Sequence, residues 1–308
     1  MTQPNASTKR ITVVGDALID ELRDPSGSRE FVGGAALNVA VGLALLGEDV
    51  TLVAMLGADD AATRIRSYLR DYGVHLVESP SALGTSRAIS DRTDGEPRYE
   101  FNEAARRRSI RFDAVTRAAL DDADLVVVSC FPFDDAVQYA ALVEVIRRPE
   151  LRVIVDGNPR AGMLGDRAAF LTNFEDFVSR AVLAKIGDED ATLLLGDTLD
   201  ALVRRFRHMP GARSAILATA GRDGATVYDG PTAVHADIVA LPGRIVDTMG
   251  AGDATLSAIV HHIAQHGVPN STDAWTAALH DAMTIAAATV RHEGALLRLP
   301  RTEQGVPS

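Results

Sequence analysis

The segment Ile245-Val246-Asp247-Thr248-Met249-Gly250-Ala251-Gly252-Asp253 holds the residue types best suited to chemistry in this chain. An apolar run ends there in a loop with two glycines, and a helix is predicted to follow over Ala254–Gln265. Glycines let backbone N–H groups converge with no Cβ in the way, and a helix start adds unsatisfied N–H groups and the positive end of its dipole. Gly250, Ala251 and Gly252 therefore read as an anion hole. Asp253 sets a carboxylate beside it, where repulsion is wasted unless the carboxylate acts on the reactants. A general base that takes a proton from an attacking hydroxyl answers that need, and such a base contributes roughly 10²–10⁴-fold. By itself the same aspartate reads equally as a helix cap. A dinucleotide site fits less well, because the third glycine is missing and the expected acidic position falls in the turn 266–273. Lys9 precedes Arg and Lys185 precedes Ile, so neither supplies a GK[ST] phosphate loop.

The elements that must position this loop show in the apolar pattern. Short β-branched runs recur at Ile11–Val14, Val50–Met55, Leu125–Val128, Val153–Val155, Val182–Ile186 and Ala215–Leu217. Helical periods lie between several of them, at Ala35–Leu46, Asp60–Tyr72 and Ala136–Arg147. Such alternation predicts a mostly parallel sheet covered on both faces, with ligands at the carboxyl ends of the strands. Two polar excursions break the rhythm, at about 20–32 and 85–107. In the second, Arg87–Ser90 and Arg98–Phe101 flank the turn signal Asp94-Gly95, so the two excursions read as a small antiparallel β lid on a single domain spanning 1–308.

Further candidates follow the predicted strands. Asp16 and Asp20 close the first strand, and ionised carboxylates accept hydrogen bonds from sugar-like hydroxyls, although an aspartate there is also an ordinary turn residue. Asp156-Gly157-Asn158-Pro159-Arg160 has turn chemistry, yet Arg160 offers a planar fork for oxyanions. Lys185-Ile186-Gly187-Asp188-Glu189-Asp190 reads as an acidic helix start. Thr219 to Gly224 reads as a plain hairpin turn or as a loop that lets a ligand approach closely. His262 and His266 lie four apart with no third ligand evident, so solvent-facing histidines are expected. The run Arg106-Arg107-Arg108 could bind a phosphorylated sugar, but a charge run is usually a solvated face, which is expected here.

Composition narrows the function classes. The chain has 308 residues, a net charge of −11 and 46% hydrophobic residues, which suits a folded domain and argues against a nucleic-acid partner. Only Lys9 and Lys185 are lysines among 31 basic residues, so an anionic ligand must be held by helix starts, a metal or a few placed cations. The lone cysteine, Cys130, reads as a small core residue. The polar N-terminus and the lack of a long apolar run give no membrane segment, and a cytoplasmic location is expected.

Taken in order over essentially the whole chain, these segments resemble the ribokinase-like, or PfkB, carbohydrate kinase family. Asp247–Asp253 is similar to its DTxGAGD signature, and Gly33-Gly34-Ala35-Ala36-Leu37-Asn38-Val39-Ala40 to its GGAxxNVA. The resemblance implies a ribokinase-like three-layer α/β sandwich with a small β lid. It implies transfer of the γ-phosphoryl group of ATP to a sugar hydroxyl, with Asp253 as base and the Gly250, Ala251 and Gly252 amides as anion hole. Asp16, Asp20, Gly33, Gly34 and Asn38 would hold the sugar, joined by Arg160 from a segment similar to the D-x-N-x-R of fructokinase-like members. Lys185, Thr248 and the T-x-G-x-x-G loop of Thr219, Gly221 and Gly224 would take the nucleotide. Asp190 would help organise Mg2+ within an element resembling K-x-N/S-x-x-E/D, where Gly187 replaces the usual polar residue. Ala286–Val290 and Gly294-Ala295 resemble the helix and loop bordering adenine and, in many members, a monovalent cation such as K+. The GDALID opening and DGNPR favour a fructose-like monosaccharide. Ribose, 2-keto-3-deoxygluconate, a nucleoside or a sugar phosphate stay open, with Arg87, Arg98 and Arg160 as candidate partners for an acidic substrate. A non-catalytic sugar-binding regulator would instead show a damaged base or anion hole, and Gly250, Gly252 and Asp253 are intact. Lid strands in this family often pair chains into a homodimer, and the lid edge here offers the same.

Overall fold

The computed structural model describes residues 8–91, 98–147, 151–211 and 213–300. In chain order the strands are β1 (Arg10–Gly15), β2 (Leu18–Asp24), β3 (Gly27–Gly33), β4 (Asp49–Leu56), β5 (His75–Pro80), β6 (Ser86–Asp91), β7 (Arg98–Phe101), β8 (Leu125–Ser129), β9 (Arg152–Asp156), β10 (Leu183–Gly187), β11 (Ala215–Thr219), β12 (Ala225–Asp229) and β13 (Thr232–Ala236). The helices are α1 (Ala35–Leu45), α2 (Asp60–Asp71), α3 (Glu103–Arg106), α4 (Ala114–Asp121), α5 (Ala136–Val145), α6 (Arg167–Val178), α7 (Asp188–Leu195), α8 (Leu199–Arg207), α9 (Ala251–His266) and α10 (Thr272–Thr289).

Among the described residues nine strands form one sheet in the order β13-β12-β11-β10-β9-β8-β1-β4-β5. From β11 to β5 every neighbour is parallel, as the apolar runs require, while β12 and β13 add an antiparallel edge. Alternation along the strands divides the core between two layers of helices. Ile11 and Val13 of β1 pack with α1, α2, α9 and α10, whereas Val14 packs on the opposite face with α4 to α8. Phe133, on that second face, makes an aromatic cluster with Phe131, Phe170, Phe174 and Phe177. This is the three-layer α/β sandwich of the ribokinase-like class. Among the described residues no helix is long and apolar enough to cross a membrane.

The lid is a four-stranded sheet in the order β3-β2-β6-β7. It differs from an all-antiparallel lid in one respect: β2 and β6 pair in parallel through Leu18↔Ser86 to Arg23↔Asp91, because each leaves the main sheet in the same direction. The turn signal Asp94-Gly95 lies outside the described residues. The arginine run after the lid splits. Arg106 and Arg107 are exposed, as a solvated face demands, but Arg108 is buried at 8% exposure beneath α3.

The carboxyl ends of β1, β8, β9 and β10 lie side by side and carry Asp16, Cys130, Asp156 and Gly187. Close packing of this edge demands Gly15, since a Cβ there would fall 1.9 Å from the Ser129 carbonyl oxygen and 2.7 Å from Ala36 Cβ. Gly15→Ala is expected to destabilise the fold by about 1–3 kcal/mol, the range for overpacking, because the atom it meets is backbone. Urea denaturation measures this, and an unchanged midpoint would show that β1 and β8 separate freely.

Candidate active site

Two helix starts converge above the strand ends. Gly34 (φ 109°) and Gly250 (φ 77°) precede α1 and α9 in conformations that favour glycine, and at Gly250 a Cβ would also fall 2.5 Å from the Ala295 carbonyl. Helix α9 begins at Ala251, three residues before the predicted start, so Asp253 lies in its first turn. Gly250 occupies the cap position and no side chain caps the helix, which removes the capping role for Asp253. Its carboxylate instead accepts a hydrogen bond from Asn38 Nδ2 of α1 at 2.8 Å. The Ala251 N–H turns back to the Thr248 carbonyl at 3.3 Å. The N–H groups of Gly250, Gly252 and Asp253 have no hydrogen-bond partner among the described residues, as first-turn donors do not within a helix. Asp247 fastens the loop, with Oδ1 accepting from Met249 N at 3.0 Å and Oδ2 from Gly294 N at 3.2 Å.

Beneath this loop lies a charge cluster. Lys185 Nζ donates to the fully buried Asp156 Oδ2 at 2.9 Å. A Cβ on Gly252 would lie 3.5 Å from the same ammonium, an ordinary contact, so the start of α9 sits directly against Lys185. Burial works against the charge on Lys185, but Asp156, Asp190 and Asp253 outweigh it and raise its pKa. Asp190 Oδ2 accepts from Gly187 N at 2.7 Å, so this side chain does serve the start of α7, as an acidic helix N-terminus would. Burial raises Asp190 to about 6 against the pull of Lys185. Burial likewise raises Asp253 to about 6, opposed by the Asn38 amide and by Lys185.

At the other end of the cleft, Asp16 Oδ1 accepts from Ala36 N in the first turn of α1 at 2.9 Å. Burial raises the pKa of Asp16, offset by that hydrogen bond and by Arg108 and Arg160. Asp20 is pushed up to about 7 by burial and by the neighbouring Asp16. Gly33 lies against it, for a Cβ there would fall 2.1 Å from Asp20 Oδ2. Arg160 lies at the rim, 3.5 Å from Glu189, and acts electrostatically on both Asp16 and Asp253. Cys130 is buried as expected, but in a strained conformation (φ 51°) beside Asp16, and Asn158 (φ 41°) shares that strain.

Other predicted positions lie apart or serve structure. Thr219 ends β11 and Gly221 opens the turn to β12, with open space around Gly221. Gly224 (φ 79°) is explained by β13, since a Cβ there would fall 2.1 Å from the Ala236 carbonyl. Arg87 is held by Glu30 at 2.6 Å within the lid, and the side chain of Arg98 lies outside the described residues. His266 is exposed as expected, while His262 is half-buried, their rings 4.8 Å apart. Among the described residues no group of three His, Cys, Asp or Glu side chains is placed to hold a metal. Sequence reasoning named Arg108 only as part of a run that could bind a phosphorylated sugar or be solvated, and nothing in the run singled it out as the residue that lines a pocket with Asp16.

Comparison with known proteins agrees with this geometry. The family model described as pfkB family carbohydrate kinase matches residues 8–302. A fructokinase of Klebsiella pneumoniae is 27% identical over 304 residues, covering 94% of this chain and 96% of its own. The bifunctional protein HldE of Shewanella amazonensis is 28% identical over 285 residues, 84% of this chain and 56% of its own. Among solved structures, a fructokinase of Xylella fastidiosa with bound ATP superposes with a TM-score of 0.77 at 22% identity, over 94% of each chain. A fructokinase of Vibrio cholerae O395 with fructose, ADP and calcium gives 0.76 at 19% identity, covering 94% of this chain and 95% of its own. With a carboxylate beside unpartnered N–H groups at one helix start, on a sheet of this order, and with a family model matched over residues 8–302, the chain belongs to the pfkB family of carbohydrate kinases and is an ATP-dependent phosphotransferase.

Proposed function

We propose that this kinase transfers the γ-phosphoryl group of ATP to a hydroxyl of a fructose-like monosaccharide, with Asp253 as the general base. The observation that carries the reading is the placement of the Asp253 carboxylate, held by Asn38, within the first turn of α9 beside unpartnered N–H groups. Fructokinases matched over 94% of the chain support the sugar class. The sugar lies between Asp16, Asp20, Gly33, Gly34, Asn38 and the lid, with Arg160 at the rim. Asp253 takes the proton of the acceptor hydroxyl as its oxygen bonds to the γ-phosphorus, and the bond from that phosphorus to the β,γ-bridging oxygen breaks to release ADP. The Gly250, Gly252 and Asp253 amides, together with Lys185, hold the charge of the migrating group. Electrostatics and positioning of this kind dominate phosphoryl transfer.

ATP approaches from the side of Thr219, Gly221 and Gly224. Mg2+ is commonly held by one or two carboxylates plus substrate phosphates and retains waters, so the lack of a three-ligand cluster agrees with it. Asp190 fits that role, because its Oδ1 has no protein hydrogen bond among the described residues. When bound, the ion neutralises phosphate charge.

Asp253→Asn is expected to lower kcat by roughly 10²-fold or more, by the size of general-base effects, while calorimetry still detects sugar binding. Wild-type turnover in that variant would remove Asp253 from the role. A base must be deprotonated to work, and Asp253 titrates at about 6. Activity in kcat/KM should therefore be full near neutrality and fall as the pH drops through about 6. Asp190 and Asp20 titrate close by, so the limb belongs to the group of carboxylates. A profile flat from well below that range to neutrality would count against a carboxylate base.

A further inference from the structure

We infer that Arg108 is a substrate-binding residue that, opposite Asp16, reads one hydroxyl of a neutral sugar and so excludes acidic acceptors; the inference rests on the sugar-kinase reading above. The two residues line a small pocket, with room for about one water-sized group, together with Met55, Cys130 and Pro132, and neither Asp253 nor Asn38 takes part in it. Asp16 is what joins it to the acceptor site proposed above.

The case begins with a guanidinium that is 8% exposed and incompletely bonded. Its Nε donates to the Cys130 carbonyl at 3.2 Å and its Nη1 to the Ala105 carbonyl at 3.4 Å. Nη2 makes no hydrogen bond among the described residues, and no carboxylate there lies within ion-pair distance. A buried charge in this state is costly unless something completes it. Asp16 faces it across the pocket with a carboxylate that already spends one oxygen on Ala36 N. A donor on one wall and an acceptor on the other match a hydroxyl, which donates to Asp16 and accepts from Arg108 in the same position. A carboxylate or phosphate would satisfy Arg108 but would be driven against Asp16 and, beyond it, Asp20. The apolar surfaces of Met55 and Pro132 suit the C–H face of a sugar ring or chain.

The competing account is structural: Arg108 only pins the Cys130 and Ala105 carbonyls. Kinetics of Arg108→Met and Arg108→Lys separate the two, with D-fructose and ATP varied in turn. A lost charge-assisted hydrogen bond should raise the sugar KM about 10- to 100-fold, leave the ATP KM within about twofold of wild type, and be partly restored in Arg108→Lys. A purely structural role would lower the melting temperature and move both KM values together, which would overturn the inference. The wild-type enzyme gives a readout that needs no variant to fold. It should lose affinity for one member of a series of singly deoxygenated fructose analogues, and turn over fructose more efficiently than 2-keto-3-deoxygluconate or fructose 6-phosphate. Equal affinity across the series, or preference for the acidic acceptors, would overturn the inference while leaving the kinase reading intact. Absence of wild-type turnover with every acceptor would overturn that reading, and this inference with it.

Discussion

The buried ammonium of Lys185 is what allows carboxylates to crowd the working edge of this sheet. Asp156 is wholly enclosed at the end of β9 and accepts directly from it, and Asp190 and Asp253 lie within its field. A carboxylate enclosed without such a partner typically costs about 3–5 kcal/mol. In a chain with a net charge of −11 and only two lysines, the location of this cation matters more than its number. It lies below Gly252, so the ammonium and the first-turn N–H groups of α9 present positive charge from two directions to one small volume. In the reading proposed above, an acidic protein thereby holds a triphosphate locally without a basic surface.

The same arrangement tunes Asp253, the base in the proposed reaction. Burial drives the proton affinity of Asp253 up, while the Asn38 amide and Lys185 draw it down, and the balance falls near 6. A carboxylate with its ordinary affinity would be a poor proton acceptor, and one raised much further would be protonated at neutral pH. Asn38 belongs to α1 and Lys185 to β10, so the balance depends on α1 and α9 holding their packing against the sheet. Base strength is in this sense a property of the fold.

Much of this was legible in the sequence because the relevant geometry is local. Gly33 and Gly34 stand where β3 gives way to α1, and Gly250 and Gly252 at the start of α9, although the apolar run before Gly250 forms no strand; the central strands are short and buried on both faces, so their limits show in composition. Cross-chain contacts were not legible. Arg108 looks like the third residue of a solvated run until the Cys130 carbonyl, 22 residues away, draws it inward. The early start of α9 escaped because a glycine-rich turn weakens helix propensity just where tertiary contacts to the 290s loop enforce it. Gly224 carries a different lesson. The residue fits a nucleotide-loop pattern, yet the β13 backbone alone would demand it.

Strain at the strand ends ties the acceptor end of the site to its phosphate end. Cys130 and Asn158 follow adjacent strands and both adopt left-handed backbone, which asparagine tolerates and cysteine does not readily. Such strain persists only where neighbours over-determine it. For Cys130 the neighbours are identifiable: its N–H donates to the Asp156 carbonyl at 3.2 Å, and its own carbonyl accepts from Arg108. The strained residue is thus gripped from one side by the strand bearing the Lys185 partner and from the other by the guanidinium facing Asp16. Relaxation at either end would shift the other. The site is consequently shaped by main sheet and lid together, since Asp20 and Gly33 belong to β2 and β3, and Ser86 of β6 lines the pocket with Asp16 and Arg108.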